Sequence, residues 1–310
     1  MKRRNFLKYA VLAETAAVIN FSGMSELMAA GQASISTGPD MVAIMGGEPV
    51  PMLERMFQEY GGIGQFVKKG NKVVIKPNIG WNRAPEMAAN TNPDLIGAFV
   101  KMCKDAGASQ VQVFDHTCDE WTNCYKNSGI SAAVEANGGT MVPGNDDSYY
   151  VDVALPQGVK LKNAKIHRVL QECDVWFNVP VLKHHGGAKM TCAMKNYMGI
   201  VSDRRFFHSN DLQQCIADVV TYPKKPALHI VDAYRILVQN GPQGKGVEDV
   251  VTTKSLLASK DPIAVDAAAL ALYNQAKPIT LNDASHILKG EELKLGTTKL
   301  ETLNIKRVRI

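Results

Sequence analysis

Lys72-Val73-Val74-Ile75-Lys76-Pro77, followed by Asn92-Pro93-Asp94 and then by Gln110-Val111-Gln112-Val113-Phe114-Asp115, is the stretch that decides the fold. The first piece is a short β-branched run that stops at proline, the pattern of a buried strand. Asn92 is an N-cap residue, Pro93 suits the first helical position, and Asp94 places an acid in the first turn. Apolar residues at 95, 96, 99, 100, 102 and 103 then give one helical face, and Gly107 supplies the stop. Residues 110–115 return to strand character. A strand, a helix and a second strand at this spacing form a crossover unit of a parallel sheet.

The same alternation extends outward. Residues 130–136 read as a helix ending at Gly138-Gly139, 174–180 as a strand, 212–220 as a helix, and 227–232 and 255–259 as further strands. Asp261-Pro262 begins an alanine-rich helix expected to run to about residue 275, with Asp261 as its N-cap. Residues 140–170 look like an extra β element, and 300–310 like an edge strand. The expected architecture is a single α/β domain over residues 34–310, with a mainly parallel sheet and helices on both faces.

The composition agrees with this and excludes other classes. The 310 residues are 45% hydrophobic, 21% charged and 7% aromatic, with 25 Gly and 14 Pro, so the chain is neither disordered nor collagen-like. The longest apolar segment, Tyr9 to Met24, is interrupted by Glu14, Asn20 and Ser22, so no stable transmembrane span is expected. No Gly-x-Gly-x-x-Gly or P-loop follows a predicted strand, and there is no Gly-x-Ser-x-Gly elbow.

Residues 1–33 read as an address. Arg3-Arg4-Asn5-Phe6-Leu7-Lys8 precedes a short apolar segment and the small residues Ala29, Ala30 and Ala33, which resembles a twin-arginine export signal. That resemblance implies transient handling by the Tat export machinery and a periplasmic or cell-envelope location. Glu14 within the apolar segment fits the alternative, a basic terminus on a cytoplasmic protein. Without residues 1–33 the formal charge falls from +5 to +3, too weak for a nucleic-acid footprint.

Six cysteines, at 103, 118, 124, 173, 192 and 215, include no Cys-x-x-Cys, so there is no iron–sulfur motif in this chain. Cys118 and Cys124 are spaced for a short disulfide loop in an oxidising compartment. Cys103 and Cys215 fall on predicted helices and read as small buried hydrophobes.

Ligands of parallel sheets bind beyond the carboxyl ends of the strands, and here those ends are polar. The predicted strands deliver Lys76 and Asn78, Asp115-His116, Lys183-His184-His185, Asp232, and Lys260-Asp261, five ends expected to share one rim. The densest chemistry lies in residues 179–199, where Lys183, Lys189, Lys195, His184 and His185 surround Gly186-Gly187. Ammonium groups and backbone amides together suit an anion. Imidazoles also suit a metal ion, for which His184, His185, His116 and Asp232 are the candidate ligands, although adjacent histidines rarely both coordinate one ion. Simple solvation of a polar rim is the competing reading. The long loop 80–91 reads as a lid or substrate loop, and residues 240–246 as a ligand wrap or as two tandem turns. His229, inside an apolar strand, reads as a satisfied core residue.

These segments resemble, in order, the family catalogued as domain of unknown function 362. The resemblance is carried by Val74-Ile75-Lys76-Pro77-Asn78, Thr91-Asn92-Pro93, Asn178-Val179-Pro180-Val181-Leu182-Lys183-His184-His185, Met194-Lys195-Asn196-Tyr197-Met198-Gly199, Ile230-Val231-Asp232 and Ser259-Lys260-Asp261-Pro262. It covers about residues 70–275. Many family members carry an attached ferredoxin-like iron–sulfur module. The family pattern usually has Thr where this chain has His184, so His185 occupies the family's histidine position.

The functional expectation is an exported enzyme that binds an anionic small molecule, a metal ion or both at the strand ends. Lys76, Asn78, Lys183, Lys195 and Asn196 would hold the ligand. His185 and His208 would act as acid and base, with Asp115 or Asp232 orienting an imidazole. Redox, isomerisation and hydrolysis stay open as reaction classes. The alternatives are a non-catalytic periplasmic carrier or maturation protein using the same lysines, and a structural envelope component.

Overall fold

A computed structural model describes residues 38–310; the leader read over residues 1–33 lies outside them. Strand β1 (Met41–Met45) and helix α1 (Pro49–Glu59) come before the deciding unit, which is β2 (Lys72–Pro77), α2 (Pro93–Asp105) and β3 (Gln110–Val113). Helices α3 (Trp121–Asn127) and α4 (Ile130–Ala136) lead to β4 (Thr140–Met141). The extra β element is an antiparallel pair, β5 (Tyr150–Ala154) and β6 (Asn163–His167), and α5 (Val169–Glu172) follows it.

Strand β7 (Val175–Val179) stops at Pro180, and the chain restarts at once as β8 (Val181–His185), hairpinned to β9 (Lys189–Thr191). Then come α6 (Ala193–Asn196), α7 (Arg205–Ser209) and α8 (Leu212–Val220). Long strands β10 (Leu228–Leu237) and β11 (Val250–Ser259), helices α9 (Pro262–Tyr273) and α10 (His286–Glu292), and edge strand β12 (Ile305–Arg309) complete the chain.

The central sheet runs β12-β1-β11-β10-β7-β2-β3-β4, with β8 continuing beside the second half of β10. Lys72–Ile75 of β2 pair in parallel with Gln110–Val113, and Val73–Pro77 pair in parallel with Val175–Val179. Period-two alternation sends successive side chains to opposite faces. Val73 and Ile75 therefore join Phe57, Phe99 and Phe177 under α1 and α2, while Val74 joins Trp176, Ile216 and Ile263 under α8 and α9. Both faces are covered, as expected.

The helix caps follow the sequence signals. Asn92 accepts a hydrogen bond from Asp94 N, and Asp261 Oδ1 accepts from Ile263 N and Ala264 N. Gly107 adopts φ +89° just past α2, a conformation that disfavours a side chain.

One strand direction differs from expectation. β11 is antiparallel to both β10 and β1, with Ser259 opposite His229 and Met41. The connection from Leu237 to Val250 holds turns and a single 3-10 turn, Val247–Asp249, and is closed by Val238 N donating to Asp249 O. It lacks the crossover helix a parallel return needs. Lys260-Asp261 therefore lies at the opposite end of the sheet from the other four strand ends. There it lines a separate cleft with Asp40, Tyr60 and Phe66.

Candidate functional site

The floor of the site is a hydrogen-bonded net of side chains from three strand ends and one short helix. Lys76 is fully buried at the end of β2, and its ammonium pairs with Asp115 Oδ1 at 2.7 Å. It also donates to Asn196 Oδ1 at 2.8 Å and to Pro77 O at 2.8 Å. Asp115, just past β3, accepts the Ile79 N–H on its other oxygen at 2.7 Å. Asn196 is fixed in one orientation: its oxygen accepts from Lys76 and Asn78, and its nitrogen donates to Asn178 Oδ1 at 2.8 Å. Asn178 in turn donates to Ala193 O and His229 Nδ1, so His229 is a partnered core residue.

The helix that carries Lys195 and Asn196 is four residues long and starts on Asp266. The buried Asp266 carboxyl accepts from Ala193 N at 2.7 Å and Met194 N at 3.1 Å, and burial raises its pKa to about 7. This cap on α6 aims the two side chains at the ends of β2 and β8.

Above the net lies a cavity of about 550 Å³, lined by Asn78, Asp115, His116, Lys183, His185, Lys195, Asn196 and His208 among others. Lys183 is 1% exposed, donates to Asn78 Oδ1 and Ala89 O, and has no carboxylate partner among the described residues; burial pushes its pKa down to about 7. Lys195 is half-buried and its ammonium makes no hydrogen bond or ion pair among the described residues. Burial first, then the charges of Arg204 and Lys76, push its pKa down to about 8 against the pull of Cys118 and Asp115. Asp115, the one carboxylate in the lining, is already committed to Lys76. Positive charge is therefore uncompensated around empty space.

Burial favours the uncharged form of the site imidazoles. His185 Nδ1 accepts from Ala188 N at 3.1 Å, which leaves the ring proton on Nε2, and burial together with Lys195 and Lys183 lowers its pKa to about 2. His116 Nδ1 bonds Val201 O at 2.8 Å, and burial lowers its pKa too. His208 is exposed at the rim on α7, lowered by desolvation and by Lys195.

The proposed metal ligands do not come together. His184 follows the opposite strand face from its neighbour, and its Nδ1 accepts from Gly241 N at 2.9 Å. Asp232 is buried, with its oxygens accepting from Asn92 N at 2.8 Å and Tyr234 N at 3.0 Å. It orients no imidazole; it ties the start of α2 to β10. Among the described residues no group of three or more His, Cys, Asp or Glu is placed to hold a metal ion.

Residues 73–271 match the family model described as a domain of unknown function, DUF362, which is well over half of the chain. The chain belongs to this family. A thylakoid-associated protein of Synechocystis sp. is 25% identical to this DUF362 chain over 227 residues, which is 71% of the chain and 68% of that protein. Among solved structures, the lactate racemase apoprotein from Thermoanaerobacterium thermosaccharolyticum has a TM-score of 0.45 at 13% identity and 75% coverage of this chain. A protein from Thermotoga maritima has a TM-score of 0.46 at 12% identity and 74% coverage. The chain spans 56% and 59% of the length of those two structures.

The geometry explains the spacing of the DUF362 segments. In Lys195-Asn196-Tyr197-Met198-Gly199, Lys195 faces the cavity, Asn196 orients Lys76, and Gly199 leaves room for the ion pair below it. A Cβ on Gly199 would sit 1.8 Å from Asp115 Oδ1 and 2.6 Å from Lys76 Nζ.

The lining of this DUF362 site also contains residues that the sequence reading passed over. Arg204 and Arg205 stand at the mouth, with Arg204 bonded to His116 O, Thr117 O and Cys118 Sγ. The Arg-Arg pair three residues before His208 was the available signal. Thr191 is 3% exposed, and its hydroxyl lines the cavity without a hydrogen-bond partner among the described residues. All six cysteines are free thiols, with Cys118 exposed in the cavity and Cys124 buried, so the short disulfide loop is not formed. Loop 80–91 is braced by Asn90, which bonds Trp81 and Arg83, and Arg83 reaches Gln243 at 2.7 Å. It meets the 240–246 loop, which contributes Pro242 to the lining.

Proposed function

We propose that this protein is exported by the twin-arginine route to the periplasm or cell envelope, where the strand-end cavity binds and acts on an anionic small molecule. The observation that carries the reading is the closeness of Lys183 and Lys195, two cavity ammonium groups with no carboxylate partner among the described residues. Burying a cation without a counter-charge is costly, and a bound anion relieves that cost. Arg204 and Arg205 at the mouth extend the positive field and favour entry of the same charge. The Nε2–H of His185 and the Thr191 hydroxyl supply neutral hydrogen bonds that fix orientation, the mix of groups expected in a small-molecule site.

Thermal-shift titration of the mature protein with malonate and with phosphate tests the site. At least one should raise the melting temperature, and Lys183→Ala and Lys195→Ala should each weaken binding tenfold or more, as expected for loss of a charge-assisted hydrogen bond. Absence of any anion-induced shift would defeat the reading. Export is tested separately by fractionating cells that express Arg3→Lys/Arg4→Lys, which should retain the protein in the cytoplasm.

A further inference from the structure

The cavity ammonium groups are not equivalent, and the difference assigns them different work. Lys76 is saturated by Asp115, Asn196 and Pro77 O. Lys183 is anchored by two oxygens, Asn78 Oδ1 and Ala89 O, which hold it in place and favour its charged form. Lys195 differs from both: it projects from α6 into a cavity of about 550 Å³ and has no hydrogen-bonding partner among the described residues. An amine that is anchored by acceptors serves as a fixed charge. An amine left free beside other cations is the arrangement that makes lysine a nucleophile.

Resting on the anion-binding reading, we infer that Lys195 Nζ is a nucleophile that forms an imine with the carbonyl carbon of a carboxylate- or phosphate-bearing aldehyde or ketone. The anionic group would sit against Lys183 and the arginines, and the carbonyl would face Lys195. The Thr191 hydroxyl, buried and unpartnered in the same lining, and His185 Nε2–H are the neutral groups available to the carbonyl oxygen. In the step, the amine nitrogen bonds the carbonyl carbon, the oxygen leaves as water with both protons of the neutral amine, and a C=N bond remains. No oxidant or metal is required. The lowered pKa of Lys195, about 8, supports this by raising the fraction of free amine near neutral pH roughly three-hundredfold over an ordinary lysine.

The test is reductive trapping of the mature protein with glyoxylate and cyanoborohydride near neutral pH, with sites mapped by peptide mass spectrometry. One carboxymethyl group per chain should appear on Lys195 at least tenfold faster than on any other lysine, and malonate should slow it. Glycolaldehyde, a neutral aldehyde, should show no such preference. Labelling spread evenly over the surface lysines, or concentrated on Lys183, would overturn the imine while a malonate thermal shift left the anion site standing. Conversely, selective labelling of Lys195 with no response to malonate or phosphate would keep the nucleophile and remove the anion reading.

Discussion

Gly199 lies directly against the buried Lys76–Asp115 ion pair, so close that a β-carbon there would sit 1.8 Å from the carboxylate. No φ in the left-handed region is involved; the demand is for space alone. Gly199→Ala must therefore displace the pair or the backbone, and should cost about 3 kcal/mol or more, the scale of breaking a buried ion pair. Urea unfolding measures this, and a wild-type midpoint would show that the pair shifts aside cheaply.

The pair itself should show strong coupling. Lys76→Met leaves a carboxylate buried with one backbone donor, and Asp115→Asn leaves an uncompensated ammonium, each costing about 3–5 kcal/mol. The double variant should recover part of that loss, giving a coupling energy of at least about 1 kcal/mol in a double-mutant cycle. Additive losses would mean that the two groups act independently despite their 2.7 Å separation.

Charge in the cavity should respond to pH in two opposite ways. Lys183 and Lys195 have folded-state pKa values of about 7 and about 8, below the ordinary value of 10.5. Above pH 7, the unfolded chain therefore binds more protons at these sites than the folded one, so the ligand-free protein should gain stability as pH rises toward 10. Anion affinity should fall over pH 7–9 as the same amines lose charge. Melting temperatures measured with and without malonate should converge across that range; a constant gap would exclude titration of these lysines.

Thiol labelling gives an independent view of the cavity. Cys118 is exposed and 3.0 Å from the Arg204 guanidinium, whereas the other five cysteines are buried. A disulfide-exchange reagent should modify one thiol per folded chain quickly, Cys118→Ser should abolish that phase, and a bound anion should slow it. Fast modification of Cys124 as well would show that the α3 region opens readily.

The parallel core was legible because its strands and helix caps are written in local pattern: Val73-Val74-Ile75 before proline, Asn92-Pro93 at a helix start, Gly107 at its end. The lysines and asparagines of the net were legible because strand ends are where a parallel sheet presents ligand groups. Strand direction was not, since Ser255–Ser259 reads the same whichever way it runs, and only the missing crossover helix before it reveals the reversal. Nor were β1 and α1 read, because Met41–Met45 is a short apolar run without flanking signals. Side-chain partnership was hidden altogether. Nothing local distinguishes Asp232, spent on backbone N–H groups, from Asp115, spent on Lys76, or reveals that His184 and His185 serve different loops.

The reversal of β11 also sets where the chain enters the fold. Because Met41 lies level with Ser259 and with His229, the beginning of β10, the described chain starts at the sheet end remote from the cavity. Residue 38 and the cavity mouth formed by Arg204 and His208 therefore lie at opposite ends of the sheet. No residue of β1 lines the cavity, so the point where the described chain enters the sheet and the point where a ligand enters the site share no side chain.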